Sequence, residues 1–107
     1  MLAVLSAKVG SIEDKRLGGW YSYRASKAAL NMLLKTAAIE LQRSRPQAVL
    51  VALHPGTVSS ALSQPFRGDQ IGRPAVQAAA ELLAVIDGLK PADTGRFIAY
   101  DGAPLPW

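Results

Sequence analysis

Six apolar residues in a row, Ala48 to Leu53, stand near the middle of the chain and stop at His54-Pro55-Gly56. A strand with one wet face alternates apolar and polar positions, so unbroken apolarity predicts a parallel strand covered on both sides. Leu2 to Leu5 is a shorter run of the same kind, closed by Ser6, and reads as a second buried strand. Between them, Tyr21 to Arg45 contains neither proline nor glycine and is rich in Ala and Leu, which predicts a long helix. Arg43 and Arg45 put positive charge at that helix's negative end, and Pro46 cannot continue it. Ala7 to Gly19 reads as a loop, with charges from Glu13 to Arg16 and a Gly18-Gly19 breaker.

After Gly56 comes a long loop holding Pro65, Gly68 and Gly72. Pro74 suits the first turn of a second helix, which runs to about Asp87 and ends at Gly88. A turn through Pro91 and Gly95 leads to a last strand, Arg96 to Tyr100, and a proline-containing tail closes on Trp107. The order is βαβαβ, the pattern of an α/β doubly wound parallel sheet. No internal repeat or linker divides the 107 residues, so a single domain over residues 1–107 is expected.

The long helix also bears on partners. Its clearly polar positions, Arg24, Asn31, Lys35 and Gln42, form one narrow stripe. Ala25, Ala28, Leu30, Met32, Leu33, Leu34, Ala37 and Leu41 make most of the rest apolar. A helix apolar over so wide an arc is buried on more than one side. The sheet covers one side, and the remainder predicts association, most simply a homodimer through this helix.

Composition narrows the function classes. Half the residues are hydrophobic and 19% are charged, which is globular rather than disordered. The net charge of +4 is spread along the chain with no basic run and no interleaved aromatics, so no nucleic-acid partner is expected. The absence of cysteine excludes disulfides and thiolate metal sites. One histidine gives zinc too few nitrogen ligands, and no metal is expected. No apolar run reaches the roughly 20 residues of a membrane span. Met1 to Leu5 lacks the charged flank and length of a signal peptide, so a cytoplasmic protein is expected.

The segment Tyr21-Ser22-Tyr23-Arg24-Ala25-Ser26-Lys27 opens the long helix. Tyr23 and Lys27 are four apart, and one helical turn sets both side chains on one face. That face continues through Leu30, Leu34 and Leu41 and so turns toward the protein. A phenol ordinarily keeps its proton to about pH 10. A nearby ammonium and the positive end of a helix stabilise the phenolate, so the pair can donate a proton to a carbonyl oxygen.

Tyr-x-x-x-Lys with Ala-Ser before the lysine, at the start of a helix, resembles the active-site motif of the short-chain dehydrogenases/reductases. His54-Pro55-Gly56-Thr57-Val58-Ser59-Ser60, directly after the apolar strand, is similar to that family's Pro-Gly-x-Val-x-Thr, with Ser60 in place of threonine. The likeness covers essentially the whole chain. The wording Ser-Ala-Lys-Val-Gly-Ser-Ile and the ending Asp101-Gly102 to Pro106-Trp107 look most like the bacterial carbonyl-reductase-like, C-factor-like branch. The resemblance implies a Rossmann-type sheet and a bound NAD or NADP. It also implies Tyr23 as general acid/base, and Lys27 as the group that assists it and binds the nicotinamide ribose. Pro55, Gly56, Val58 and Ser60 would border the cofactor. It further calls for an upstream serine that holds the substrate carbonyl. Ser11 is the first candidate and Ser6 the second, because the family's usual Ser-Ser pair reads Ser6-Ala7 here.

The same family begins with a strand, a Gly-rich turn and a helix whose N-terminus takes the pyrophosphate. No such segment occurs in these residues, so the chain is expected to correspond to the C-terminal half alone. Two functions follow as expectations. One is an NAD(P)-dependent oxidoreductase acting on a small carbonyl or alcohol substrate, with Trp20, Leu62 and Phe66 favouring an apolar one. The other is a catalytically inactive remnant serving as a dimerisation or interaction module.

Overall fold

The computed structural model describes residues 1–13, 18–56 and 74–107. Its elements are β1 (Leu2–Leu5), a 3-10 turn (Lys8–Gly10), α1 (Tyr21–Ser44), β2 (Leu50–His54), α2 (Ala75–Asp87), a second 3-10 turn (Pro91–Asp93), β3 (Arg96–Ala99) and β4 (Pro104–Leu105). The four strands form one sheet in the order β1-β2-β3-β4. β1, β2 and β3 run parallel, with Ala3 opposite Val51 and Ala52 opposite Phe97, while β4 runs antiparallel to β3.

β2 is the spine of the sheet, and its unbroken apolar run has the predicted cause. Leu50 and Ala52 face one side, where they meet Leu34 and Ala38 of α1 and Phe97 of β3. Val49, Val51 and Leu53 face the other side with Ile98, beneath Leu82, Val85 and Ile86 of α2. Each fully buried side chain of this kind is worth about 1.5–3 kcal/mol relative to exposure. The helices therefore lie on opposite faces, as the βαβαβ order requires.

α1 starts abruptly. Gly19 has φ 82° and Trp20, which caps the helix, has φ 55°, a left-handed conformation that side chains with a Cβ adopt at a cost. The backbone is bent there by Arg24, whose Nε donates to the Gly19 carbonyl at 2.9 Å. At the other end the Arg45 N–H donates to Leu41 O, and Pro46 follows.

Three of the four polar positions on α1 face the protein rather than water. Asn31 is 3% exposed. Arg24 Nη1 reaches Val9 O at 3.4 Å, and Lys35 Nζ donates to Gly95 O at 3.2 Å. The outward surface is mixed: Met32 (67% exposed), Leu33 (69%), Ile39 and Tyr21 are open beside exposed Ser22, Thr36, Glu40 and Arg43. Pro74 sits just outside α2 as its cap, one position earlier than its expected place in the first turn.

β4 was not anticipated. Two residues carry no periodicity to detect, and Pro104 belongs to the type tolerated only at a sheet edge. The tail turns back through Asp101-Gly102, with Gly102 at φ 87° and its N–H donating to Ala99 O at 2.9 Å. Trp107 then stacks on Phe97 with ring centroids 5.4 Å apart.

Candidate functional site

Ligands of open α/β sheets bind beyond the carboxyl ends of the strands. In this chain three segments meet at those ends. Lys27 extends from the second turn of α1 until its Nζ lies 3.5 Å from the carbonyl of Leu5, the last residue of β1. The same ammonium stands over the Tyr23 ring, 5.7 Å from its centroid, within the range of a cation–π contact. Tyr23 is held edge-on by the Trp20 ring at 6.2 Å and keeps 45% of its surface open. An ammonium and an accessible phenol thus share one helix face at the sheet's carboxyl edge.

The end of β2 is tied to the same place. His54 Nδ1 accepts a hydrogen bond from the Lys8 backbone N–H at 3.0 Å. The segment leaving β1 is thereby fastened to the residue that precedes Pro55 and Gly56. Gly56 has φ 76°, a conformation glycine adopts without penalty, and it brings bare backbone to the rim of the sheet. Val58 and Ser60, and also Leu62 and Phe66, lie outside the described residues.

The two candidate serines are placed differently. Ser6, at the end of β1, is buried and donates from Oγ to Asn31 Oδ1 at 2.6 Å. Asn31 is one turn beyond Lys27 on the sheet-facing side, so this bond ties the carboxyl end of β1 to α1. Its Nδ2 is buried without a hydrogen-bond partner. Ser11 is 2% exposed, and its Oγ donates to Pro106 O at 2.6 Å. It borders a hollow of about 290 Å³ against Tyr21, Arg24, Ala25 and Ala28, which neither Tyr23 nor Lys27 lines. At about 100° of rotation per residue, Ala25 lies about 200° around the helix from Tyr23. The structure therefore brings Tyr23 and Lys27 together at the end of β1, beside which β2 ends in His54 and the Pro55-Gly56 bend, and sets Ser11 on another flank of α1.

Sequence reasoning missed Asn31, His54 and Gly10. Asn31 was taken with the polar stripe, although its spacing of four from Lys27 places it on Lys27's face. Gly10 packs against α1 so closely that an added Cβ would lie 2.7 Å from Lys27 Cβ and 2.9 Å from its carbonyl carbon. Only a residue without a side chain allows that approach.

Chemically, the described residues offer a phenol, an ammonium beside it and, at the end of β2, a partly exposed glycine bend. Among the described residues no group of three or more His, Cys, Asp or Glu could hold a metal ion.

No family model matches the chain. Individual proteins do. It is 39% identical to C-signal of Myxococcus xanthus over 107 residues, covering 99% of this chain and 60% of that one. It is 40% identical over 106 residues to the 1-hydroxy-2-glutathionyl-2-methyl-3-butene dehydrogenase of a Rhodococcus species, covering 99% of this chain and 46% of the relative. Among solved structures, the NADPH-bound carbonyl reductase from chicken fatty liver superposes with a TM-score of 0.81 at 30% identity, over 98% of this chain and 42% of that one. The mostly parallel sheet with a helix on each face is the α/β fold that this solved structure shares. The chain belongs to the short-chain dehydrogenase/reductase family, and it spans about half the length of the relatives it matches.

Proposed function

We propose that this chain forms the proton-transfer part of an NAD(P)-dependent carbonyl reductase. The observation that carries this reading is the Lys27 ammonium over the accessible Tyr23 ring, at the carboxyl edge of β1. A reduced nicotinamide supplies the hydride that reaches the carbonyl carbon. Tyr23 gives its hydroxyl proton to the carbonyl oxygen, leaving a phenolate. Lys27 stabilises that negative charge at short range, and the uncapped first turn of α1 adds to it. Solvent returns the proton to Tyr23. Pro55 and Gly56, with Val58 and Ser60 beyond them, would border the nicotinamide, and Lys27 would donate to the ribose. Trp20, edge-on to Tyr23 and half exposed, favours an apolar carbonyl substrate.

The test is direct. NADPH and NADH are titrated against the purified chain by fluorescence, and oxidation of the bound form is followed with a ketone or aldehyde present. Saturable binding and ketone-dependent oxidation are expected. A chain that binds neither nucleotide would overturn the assignment.

A second reading, an interaction module without catalysis, is favoured by one observation: α1 leaves the large apolar side chains of Tyr21, Met32, Leu33 and Ile39 exposed. The two readings share a consequence. Exposed Tyr21, Met32 and Ile39 lie along one helix face, and a second copy of the same helix would cover them. Sedimentation at micromolar concentration is expected to give a dimer, and Met32→Glu a monomer. A well-folded wild-type monomer would remove the self-association proposal.

A further inference from the structure

Two hydrogen bonds join residues 95 apart in sequence. Ser11 Oγ donates to Pro106 O at 2.6 Å, and the Ile12 N–H donates to Trp107 O at 2.7 Å. The tail that supplies both acceptors is itself fixed. Leu105 pairs with Phe97 across β3 and β4, and Trp107 stacks on Phe97 and packs against the core beneath α1. Phe97 is 1% exposed, so the tail is anchored to the buried core of the sheet.

On the other side of these bonds lies the tight turn Lys8–Gly10. Its Gly10 and Ser11 N–H groups donate back to Ala7 O and Lys8 O, each at 2.9 Å. The turn leans on α1 through Arg24, whose Nη1 reaches Val9 O, and through the close approach of Gly10 to the Lys27 backbone and Cβ. A hydroxyl has one proton. That of Ser11 is committed to Pro106, and the residue is buried on a different flank of α1 from Tyr23.

We propose that Ser11 is a positioning residue: its hydroxyl latches the C-terminal tail onto the loop after β1, and that loop sets the stem of Lys27 through Gly10. This rests on reading Lys27 as part of the reaction centre. The chain of contacts runs Phe97, Trp107, Pro106, Ser11, Gly10, Lys27. A carbonyl-holding serine would need its proton aimed at the substrate oxygen beside Tyr23, and Ser11 aims it at the tail.

The experiment compares wild type, Ser11→Ala and a deletion of Pro106 and Trp107 by backbone amide spectra, the Trp107 indole resonance and thermal melting. Ser11→Ala is expected to lower the melting midpoint by about 5 °C, the effect of leaving one buried carbonyl unpaired. It should also shift the Trp107 indole and the Lys27 amide together. The deletion should shift the Lys27 amide in the same direction, and the two changes combined should add little, as for members of one contact chain. Should the shortened chain fail to fold, the joint movement of Trp107 and Lys27 in Ser11→Ala decides alone. In ketone reduction, Ser11→Ala should raise the cofactor KM severalfold with kcat held within about twofold.

A Lys27 amide and Trp107 indole that stay in place overturn the latch. So does a kcat loss of about 10²-fold at unchanged cofactor KM, the size seen when a donor to the reacting oxygen is removed. Absence of ketone reduction in every chain would instead remove the proposed function and leave the resonances to decide the latch.

Discussion

Replacing Tyr23 by phenylalanine lowers the turnover of ketone reduction by about 10² to 10⁴-fold, the usual contribution of a positioned general acid. Phenylalanine keeps the ring on which Lys27 rests and the edge contact with Trp20. It removes only the oxygen that carries the proton. Cofactor affinity should therefore stay within about twofold of wild type, because Lys27 and the Pro55-Gly56 bend are unchanged. Steady-state kinetics with varied ketone and cofactor separate the two effects. Since Tyr23 is 45% exposed, the substitution buries no new surface and the melting midpoint should hold. An active Tyr23→Phe chain would mean that the proton comes from elsewhere.

The largest loss of stability is expected from Phe97→Ala, about 3–5 kcal/mol by the measure of aromatic truncations in packed cores. Phe97 is 1% exposed, pairs with Ala52 and Leu105 in the sheet, and carries the Trp107 stack. Its removal opens a cavity under α1 and releases the tail at the same time. Domains of this size are stable by only about 5–15 kcal/mol, so this one change takes a large share. Urea unfolding followed by far-ultraviolet dichroism measures it. A loss below about 1 kcal/mol would show that the sheet relaxes around the gap and that the tail is not anchored there.

The order of strands and helices was legible because each long element has a strong local cause. α1 is 24 residues without a breaker, and β2 is apolar throughout because both of its faces are covered. The Tyr23–Lys27 pairing was legible for the same reason, since four residues on a helix fix a shared face whatever surrounds it. Ser11 was not. Its role depends on a carbonyl at the far end of the chain, and no spacing rule connects position 11 with position 106. Asn31 misled in the opposite sense. A polar residue on a helix suggests water, but Ser6 gives it a partner inside. β4 escaped because two residues are too short to show a period. Local forces wrote the scaffold plainly, while long-range hydrogen bonds placed the serines.

The double covering of β2 sets where variation can be absorbed. A strand wedged between two helical layers has no slack in either direction. A methyl group added at Ala52 presses on α1, and so on the shelf on which Tyr23 and Lys27 stand, while one added at Leu53 presses on α2. New substrate preferences would therefore be sought on the rim, around Trp20 and the bend at Gly56, where a side chain can change without disturbing the layer beneath it.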